Sequence, residues 1–403
     1  MTAPASTIFG GDDHAGGGLR VVVSVLGKFH SFDLARELHA RGALLAIFSG
    51  YPRFKLRDEG VPQHSIHTFP YLRAPYMAMP RLDLLGRWVV RQWEQLDRLS
   101  LDSYVARNLP DCDVFVGLSG SSLRSGRLAK RRGASYVCDR GSSHIRMQER
   151  LLREEHQRWD MPYWGIDPRV IAREEAEYDE ADCITVPSSF AWRSFIEQGV
   201  PAGKLRQLPY GVSLSRFEPV QTPATDRFDV LFVGGMSLRK GVPYLLQAYR
   251  QLQHPRKSIT FAGAPSPALI RMLRKRRLWD DDARVLGHVP QAKLKHLMSR
   301  SHVMVLPSIE EGFGLVQAQS MACRCPVIGT PHSGAEDLYT DGHGGCIVPI
   351  RDAEALAERL QWLADHPDER AAIGDRALAC VQRSGGWRDY GEQALNIYRE
   401  LAR

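Results

Sequence analysis

Residues 307–329 read PSIEEGFGLVQAQSMACRCPVIG and follow the apolar run HVMVLP at 302–307. An apolar run this short and continuous reads as a buried strand, and LVQAQSMA beyond the loop reads as a helix. Two carboxylates and two glycines therefore stand where a strand hands over to a helix. Backbone N–H groups at a helix start lack intrahelical partners and favour an anion. A carboxylate beside them would repel a phosphate, so Glu311 is better suited to accept from hydroxyl groups. Phe313, Gly314, Leu315 and Val316 form the turn and helix start, with Gly312 and Gly314 read as letting a ligand approach the backbone. Gln319 follows two turns along, where its amide can donate to and accept from a ribose. The plain alternative is an exposed acidic loop.

The same strand–loop–helix alternation extends outward in both directions. In the first half, strands are predicted at 19–27, 43–49, 113–119, 134–139 and 183–188. The second half repeats the style at 228–235, 258–264, 283–289, 302–308, 325–330 and 345–350. Amphipathic stretches such as LARELHARG and DAEALAERLQWLADH lie between them. Continuous apolar strands separated by helices imply parallel sheets covered on both faces, an α/β architecture. Its double occurrence predicts two doubly wound, Rossmann-like domains facing across a cleft: a first domain at 19–218, a second at 228–386, and a closing helix at 387–403. Ligands of such sheets sit at the carboxyl ends of the strands.

A second phosphate candidate is GGMSLRKG (234–241), again after a strand and before a helix. Cations at a helix start oppose its dipole, so Arg239 and Lys240 call for an anion. A capping turn with solvated cations is the alternative. In the first half, His144 lies in CDRGSSHIRM with Asp139 and Arg140, and GKFHSFD (27–33) places Lys28 and His30 at an early turn. Glu336, in GTPHSGAEDL, is expected to cap a short helix or hold its loop.

Composition narrows the classes. The 403 residues are 43% hydrophobic, with a formal charge of +7 and a pI near 9.1. That balance suits anionic ligands or an anionic membrane surface. No arginine-rich tail, zinc-finger spacing or aromatic repeat supports nucleic-acid binding. Seven cysteines include a C-x-C at Cys323 and Cys325 with no second ligand pair, so no metal site is expected. No run approaches the roughly 20 apolar residues of a membrane span. The opening MTAPASTIFGGDDHAGGG lacks a signal-peptide layout, and the expected location is cytoplasmic. Residues 71–110 mix Arg with Trp, Tyr and Leu, as a helix lying on a membrane would, or one packed on its own domain.

In order, the pieces ADCITVPS, GVPAGKLRQLPYGVSLSRFEP, FVGGMSLRKGV, GHVP, LPSIEEGFGLVQAQSMACRCPVIGT, SGAEDL and DGHGGCIV resemble the retaining glycosyltransferases of family 4, which have the GT-B fold. The resemblance spans approximately residues 20–400. It implies a sugar donor carried on a nucleotide diphosphate, UDP or GDP being expected, and no permanently bound cofactor. It assigns Glu311 to the donor sugar's hydroxyls, Lys240 to the diphosphate and His144 to the neighbourhood of the transferred sugar. Phe313, Gly314, Leu315 and Val316 match the turn at the donor phosphates, and Gly27 matches a glycine of the first phosphate-facing loop. The resemblance also implies front-face transfer with retained anomeric configuration and without metal. The acceptor would be a carbohydrate, a lipid-linked glycan or a small molecule. Two positions depart from the family pattern. Gln319 stands where a second glutamate is usual, and Gly235 where an arginine is usual, with Arg239 able to supply part of that charge. The other readings are a nucleotide-sugar epimerase, a phosphorylase-type enzyme and a non-catalytic homologue that binds nucleotide sugars.

Overall fold

The computed structural model describes residues 18–79 and 86–403. The part of the proposed membrane segment at 80–85 lies outside the described residues. The chain builds two seven-stranded sheets whose strands pair in parallel. The first contains β1 (Val21–Val25), β2 (Leu44–Ser49), β3 (Ile66–Thr68), β4 (Val114–Leu118), β5 (Ser135–Asp139), β6 (Cys183–Val186) and β7 (Leu205–Gln207), in the order β3-β2-β1-β4-β5-β6-β7. The second contains β8 (Phe228–Val233), β9 (Lys257–Ala262), β10 (Arg284–Val285), β11 (Val303–Leu306), β12 (Val327–Gly329), β13 (Thr340–Asp341) and β14 (Gly344–Ile347), in the order β10-β9-β8-β11-β12-β14-β13.

Helices cover both faces of the first sheet, which explains why its strands read as unbroken apolar runs. Val21, Val23 and Val25 pack with Phe32 and Leu38 on one face. Val22 packs with Phe48, Leu101 and Phe195 on the other. Fully burying each such side chain contributes about 1.5–3 kcal/mol. The final helix, Gly386–Leu401, returns to the first sheet: Tyr390, Ala394, Leu395 and Tyr398 join its core, and Arg41 Nη2 donates to the Arg388 carbonyl at 2.7 Å.

The strand predicted at 283–289 is reduced to Arg284–Val285, and Val285 and Leu286 are 38% and 41% exposed. An edge strand facing solvent gains little from apolar burial, so the pairing is short. Among the described residues, the segment 71–110 forms two helices, Arg73–Ala78 and Arg87–Asn108. Among the described residues no helix is long and apolar enough to cross a membrane.

Candidate functional site

In each sheet the connections reverse direction between two neighbouring strands, opening a crevice at their carboxyl ends. In the second sheet these strands are β8 and β11. The loop after β8 carries Gly234–Gly241, and the loop after β11 carries Pro307–Gly314. Backbone bonds knit the two loops together: Ile309 N–H and Glu310 N–H both donate to the Arg239 carbonyl, at 2.8 and 3.4 Å. Gly241 caps the helix Val242–Gln251 at φ +67°, and a Cβ there would lie 1.9 Å from the Pro307 carbonyl oxygen. Only glycine serves at that position.

This crossing brings Lys240 and Glu311 into direct contact, Nζ to Oε2. Arg239 Nη1 stands 3.5 Å from the same carboxylate oxygen. Burial first, and then the neighbouring Arg239, push the Lys240 amine down to about 7. The Glu310 carboxylate pulls the other way, because an opposite charge favours the ammonium form. The side chains of Lys240, Glu311 and Arg239 remain 13%, 15% and 34% exposed.

Gly312 and Gly314 are crowded by the protein's own atoms rather than opened for a ligand's approach. A Cβ on Gly314 would meet Leu306 Cδ2 at 2.5 Å and Gln317 Nε2 at 2.7 Å. One on Gly312 would meet the Gly141 carbonyl oxygen at 1.9 Å. The Leu315 N–H donates to the Phe313 carbonyl at 2.8 Å in a tight turn that opens the helix Leu315–Ala322. Val316, the next residue, follows within that first turn. Phe313 turns toward the first domain, its ring 5.6 Å from that of Tyr210. Gln319 is buried at 6% exposure, and among the described residues its side chain makes no hydrogen bond. Its neighbour Gln317 is fully engaged by contrast, with Ser333 and Tyr339. A Cβ on Gly235 would meet nothing within 4 Å, so the missing arginine there answers no steric demand.

His144 follows the loop after β5, and its ring is buried at 4% exposure against Tyr178 and Phe195, at 5.0 and 4.9 Å between ring centroids. It caps the helix Ile145–Arg158, its Nδ1 accepting from the Arg146 N–H at 3.2 Å. Burial, reinforced by Arg140 and Arg146, pushes the imidazole down to about 4, so it is neutral at pH 7. Gly27 sits in the loop after β1, its carbonyl accepting from Ser49 Oγ at 2.8 Å. Lys28 pairs with Glu59, and Glu336 pairs with Arg193 at 2.7 Å. Among the described residues no group of three or more His, Cys, Asp or Glu is placed to hold a metal ion.

The sequence names His30, Asp139 and Glu310 but not the contacts that they make. His30 Nε2 lies 2.6 Å from Asp139 Oδ2, with the Tyr210 ring stacked on the imidazole at 4.2 Å. Glu310 is fully buried and binds first-domain groups more than 160 residues away. Nothing local in the sequence signals a contact of that range.

Residues 30–211 match the glycosyl transferase 4-like domain, and residues 215–379 match the glycosyl transferases group 1 model. The chain belongs to the GT-B glycosyltransferases. In shape this GT-B chain is similar to the sucrose-phosphate synthase of Thermosynechococcus elongatus, with a TM-score of 0.74 at 22% identity over 95% of this chain and 99% of that one. Anabaena HepE, solved with UDP and glucose, gives 0.70 at 15% identity over 95% and 100%. In sequence it is 29% identical over 54% of its length to the putative colanic acid biosynthesis glycosyltransferase WcaL of Escherichia coli. The D-inositol 3-phosphate glycosyltransferase 1 of Catenulispora acidiphila is 27% identical over 99% of the chain and 94% of the relative. The WcaL match takes in 55% of that relative, so the chain spans about half the length of some curated relatives it matches.

Proposed function

We propose that the protein transfers a sugar from a nucleotide diphosphate donor to an acceptor hydroxyl, with retention at the anomeric carbon. The observation that carries this reading is the convergence of Arg239, Lys240 and Glu311 at the crevice of the second sheet. Two cations suit the leaving diphosphate, and a carboxylate beside them suits sugar hydroxyls. Negative charge grows on the diphosphate as the bond to the sugar breaks, and fixed cations in a half-buried crevice stabilise it. The acceptor oxygen forms its bond to the anomeric carbon as the sugar–phosphate bond breaks, and the acceptor proton passes to the departing phosphate. His144, neutral and fixed by its helix, would line the sugar's place rather than carry charge. UDP and GDP are the expected carriers; the UDP bound to HepE supports the first. Arg239 and Lys240 supply positive charge without a metal ion.

Incubation with UDP-, GDP- and ADP-sugars and a panel of glycan acceptors tests the reading. Product with the donor's anomeric configuration, formed in the presence of EDTA, is the expected result. Nucleotide binding without turnover on any acceptor would favour the non-catalytic alternative, and an inverted product would remove retention.

The acceptor is proposed to be a carbohydrate, free or lipid-linked, and the helix Arg87–Asn108 is proposed to touch an anionic membrane surface. Trp88 is 73% exposed, Leu96 57% and Trp164 60%. Arg87 stacks over the Trp164 ring at 4.4 Å, while Arg91 is spent on the Trp164 and Gly165 carbonyls. Co-sedimentation should be stronger with anionic than with neutral vesicles and should weaken at high salt. Absence of binding to both vesicle types would dispose of the membrane contact.

A further inference from the structure

Glu310 precedes the carboxylate assigned to the donor, yet it points the other way. Its Oε1 accepts from Ser142 Oγ at 2.6 Å, Ser143 Oγ at 2.7 Å and Ser143 N–H at 3.3 Å. Its Oε2 accepts from Gln148 Nε2 at 3.1 Å and Arg239 Nη1 at 3.3 Å. Four of these five donors belong to the first domain, in the loop and helix start on either side of His144. The fifth, Arg239, belongs to the proposed diphosphate site. Burial alone would raise the carboxyl pKa, but Arg239 and the hydroxyl and amide donors outweigh it and hold the group below the usual range.

Removing a carboxylate from water costs several kcal/mol unless its oxygens are fully paired. Here the pairing exists only when the two domains are together. Apart, Glu310 would lose four donors at once and return to water. The carboxylate therefore fixes three things in one geometry: the Ser142–Ser143 loop, the His144 cap beside it, and the Arg239 guanidinium, whose Nη1 also donates to the Glu310 carbonyl at 3.0 Å.

We propose that Glu310 is a positioning residue that joins the first-domain His144 loop to the second-domain diphosphate cations, assembling the transfer site when the domains close. This rests on the donor-site reading above and adds to it a dependence of turnover, but not of nucleotide binding, on Glu310. The carboxylate touches neither donor nor acceptor in this role. It acts through Arg239 and through the loop that carries His144.

The test compares the full-length protein with Glu310→Gln, which keeps the shape but removes the charge, and with Ser143→Ala, which removes a donor from the other side. UDP and GDP binding are measured by calorimetry, turnover with the donor and acceptor that support it in the wild type, and amide exchange across 141–148. Both variants are expected to bind nucleoside diphosphate within threefold of wild type. Exchange at 141–148 should rise tenfold or more and kcat should fall tenfold or more, with donor KM little changed. The double variant should be no worse than the more impaired single one, because both break the same contact. Wild-type exchange and kcat in Glu310→Gln would overturn the proposal. So would a loss of nucleotide binding in proportion to kcat, which would place Glu310 in the nucleotide site itself. If the wild type bound neither nucleotide, the donor-site reading would fail, while the exchange data would still decide whether Glu310 ties the domains together. Ser143→Ala supplies the same readouts should Glu310→Gln fail to fold.

Discussion

Lys240→Ala is expected to abolish most transfer while leaving the fold intact. The side chain is held in the crevice between β8 and β11 and touches Glu311 directly. Losing one partner of a desolvated charge pair costs about 2–5 kcal/mol. At about 1.4 kcal/mol per power of ten, turnover should fall between roughly 30-fold and a few thousand-fold. The amine also predicts a pH dependence. With its folded pKa lowered to about 7, the free protein loses the positive charge as pH rises above 7. A bound diphosphate favours the ammonium form, so binding takes up a proton, and the wild-type Kd should weaken toward pH 9 while that of Lys240→Ala stays flatter. The stability sign follows from the same shift. Below pH 7 both folded and unfolded chains hold the proton, and the cost of burying the charge is fully present. Between about 7 and the ordinary lysine value of 10.5 the unfolded chain binds more protons, so this group's cost is relieved as pH rises. Calorimetry of nucleoside diphosphate binding across pH 6–9, with kinetics of the folded variant, checks both expectations. Wild-type kinetics in Lys240→Ala would remove this residue from the site.

The doubly wound architecture is legible in the sequence because strands buried on both faces cannot hide their apolar runs. Val21–Val25, Phe228–Val233 and Val303–Leu306 are such strands. Short edge strands carry no comparable signal, and Ile66–Thr68 and Leu205–Gln207, with three residues each and only their first residues buried, escape notice for that reason. At the site, Lys240 and Glu311 are legible because both follow core strands in loops that a parallel sheet brings together. Their mutual contact is not, since it depends on the chain across a separation of 71 positions folding as three helix–strand units. Glu310 is harder still. In sequence it is one of two adjacent acids, and what separates it from Glu311 is a partner loop in the other domain. Local spacing reports which face of its own element a residue occupies. It does not report which surface another domain presents to that face.

Gly312→Ala tests that relation with the smallest possible change. The glycine's φ is not in the left-handed region, so alanine suits the backbone and any cost comes from its surroundings. Those surroundings are the other domain: Gly141 O at 1.9 Å, Gly141 C at 2.6 Å and Ser142 Cα at 2.7 Å from an ideal Cβ. All three are backbone atoms and cannot rotate aside. Ordinary contact begins at 3.4 Å, so against the 1.9 Å approach the loops must part by about 1.5 Å. That displacement strains the Ser188 Oγ bond to the Gly312 carbonyl, now 2.6 Å, and separates Ser142 and Ser143 from Glu310. A misplacement near 1 Å can cost about 100-fold in rate when two halves of a site must meet. Turnover in Gly312→Ala should therefore fall about 100-fold or more. Nucleoside diphosphate binding should persist, because Arg239, Lys240 and Glu311 all belong to the second domain, and the thermal transition should move little, because neither sheet's core is touched. Gly203→Ala is the matched control, since it lies outside both phosphate loops and its Cβ would meet nothing within 4 Å, and it should behave as wild type. Unchanged turnover in Gly312→Ala would mean that the domains work farther apart than they stand here, and that the contacts of Glu310 with the Ser142–Ser143 loop belong to a resting state rather than to the assembled site.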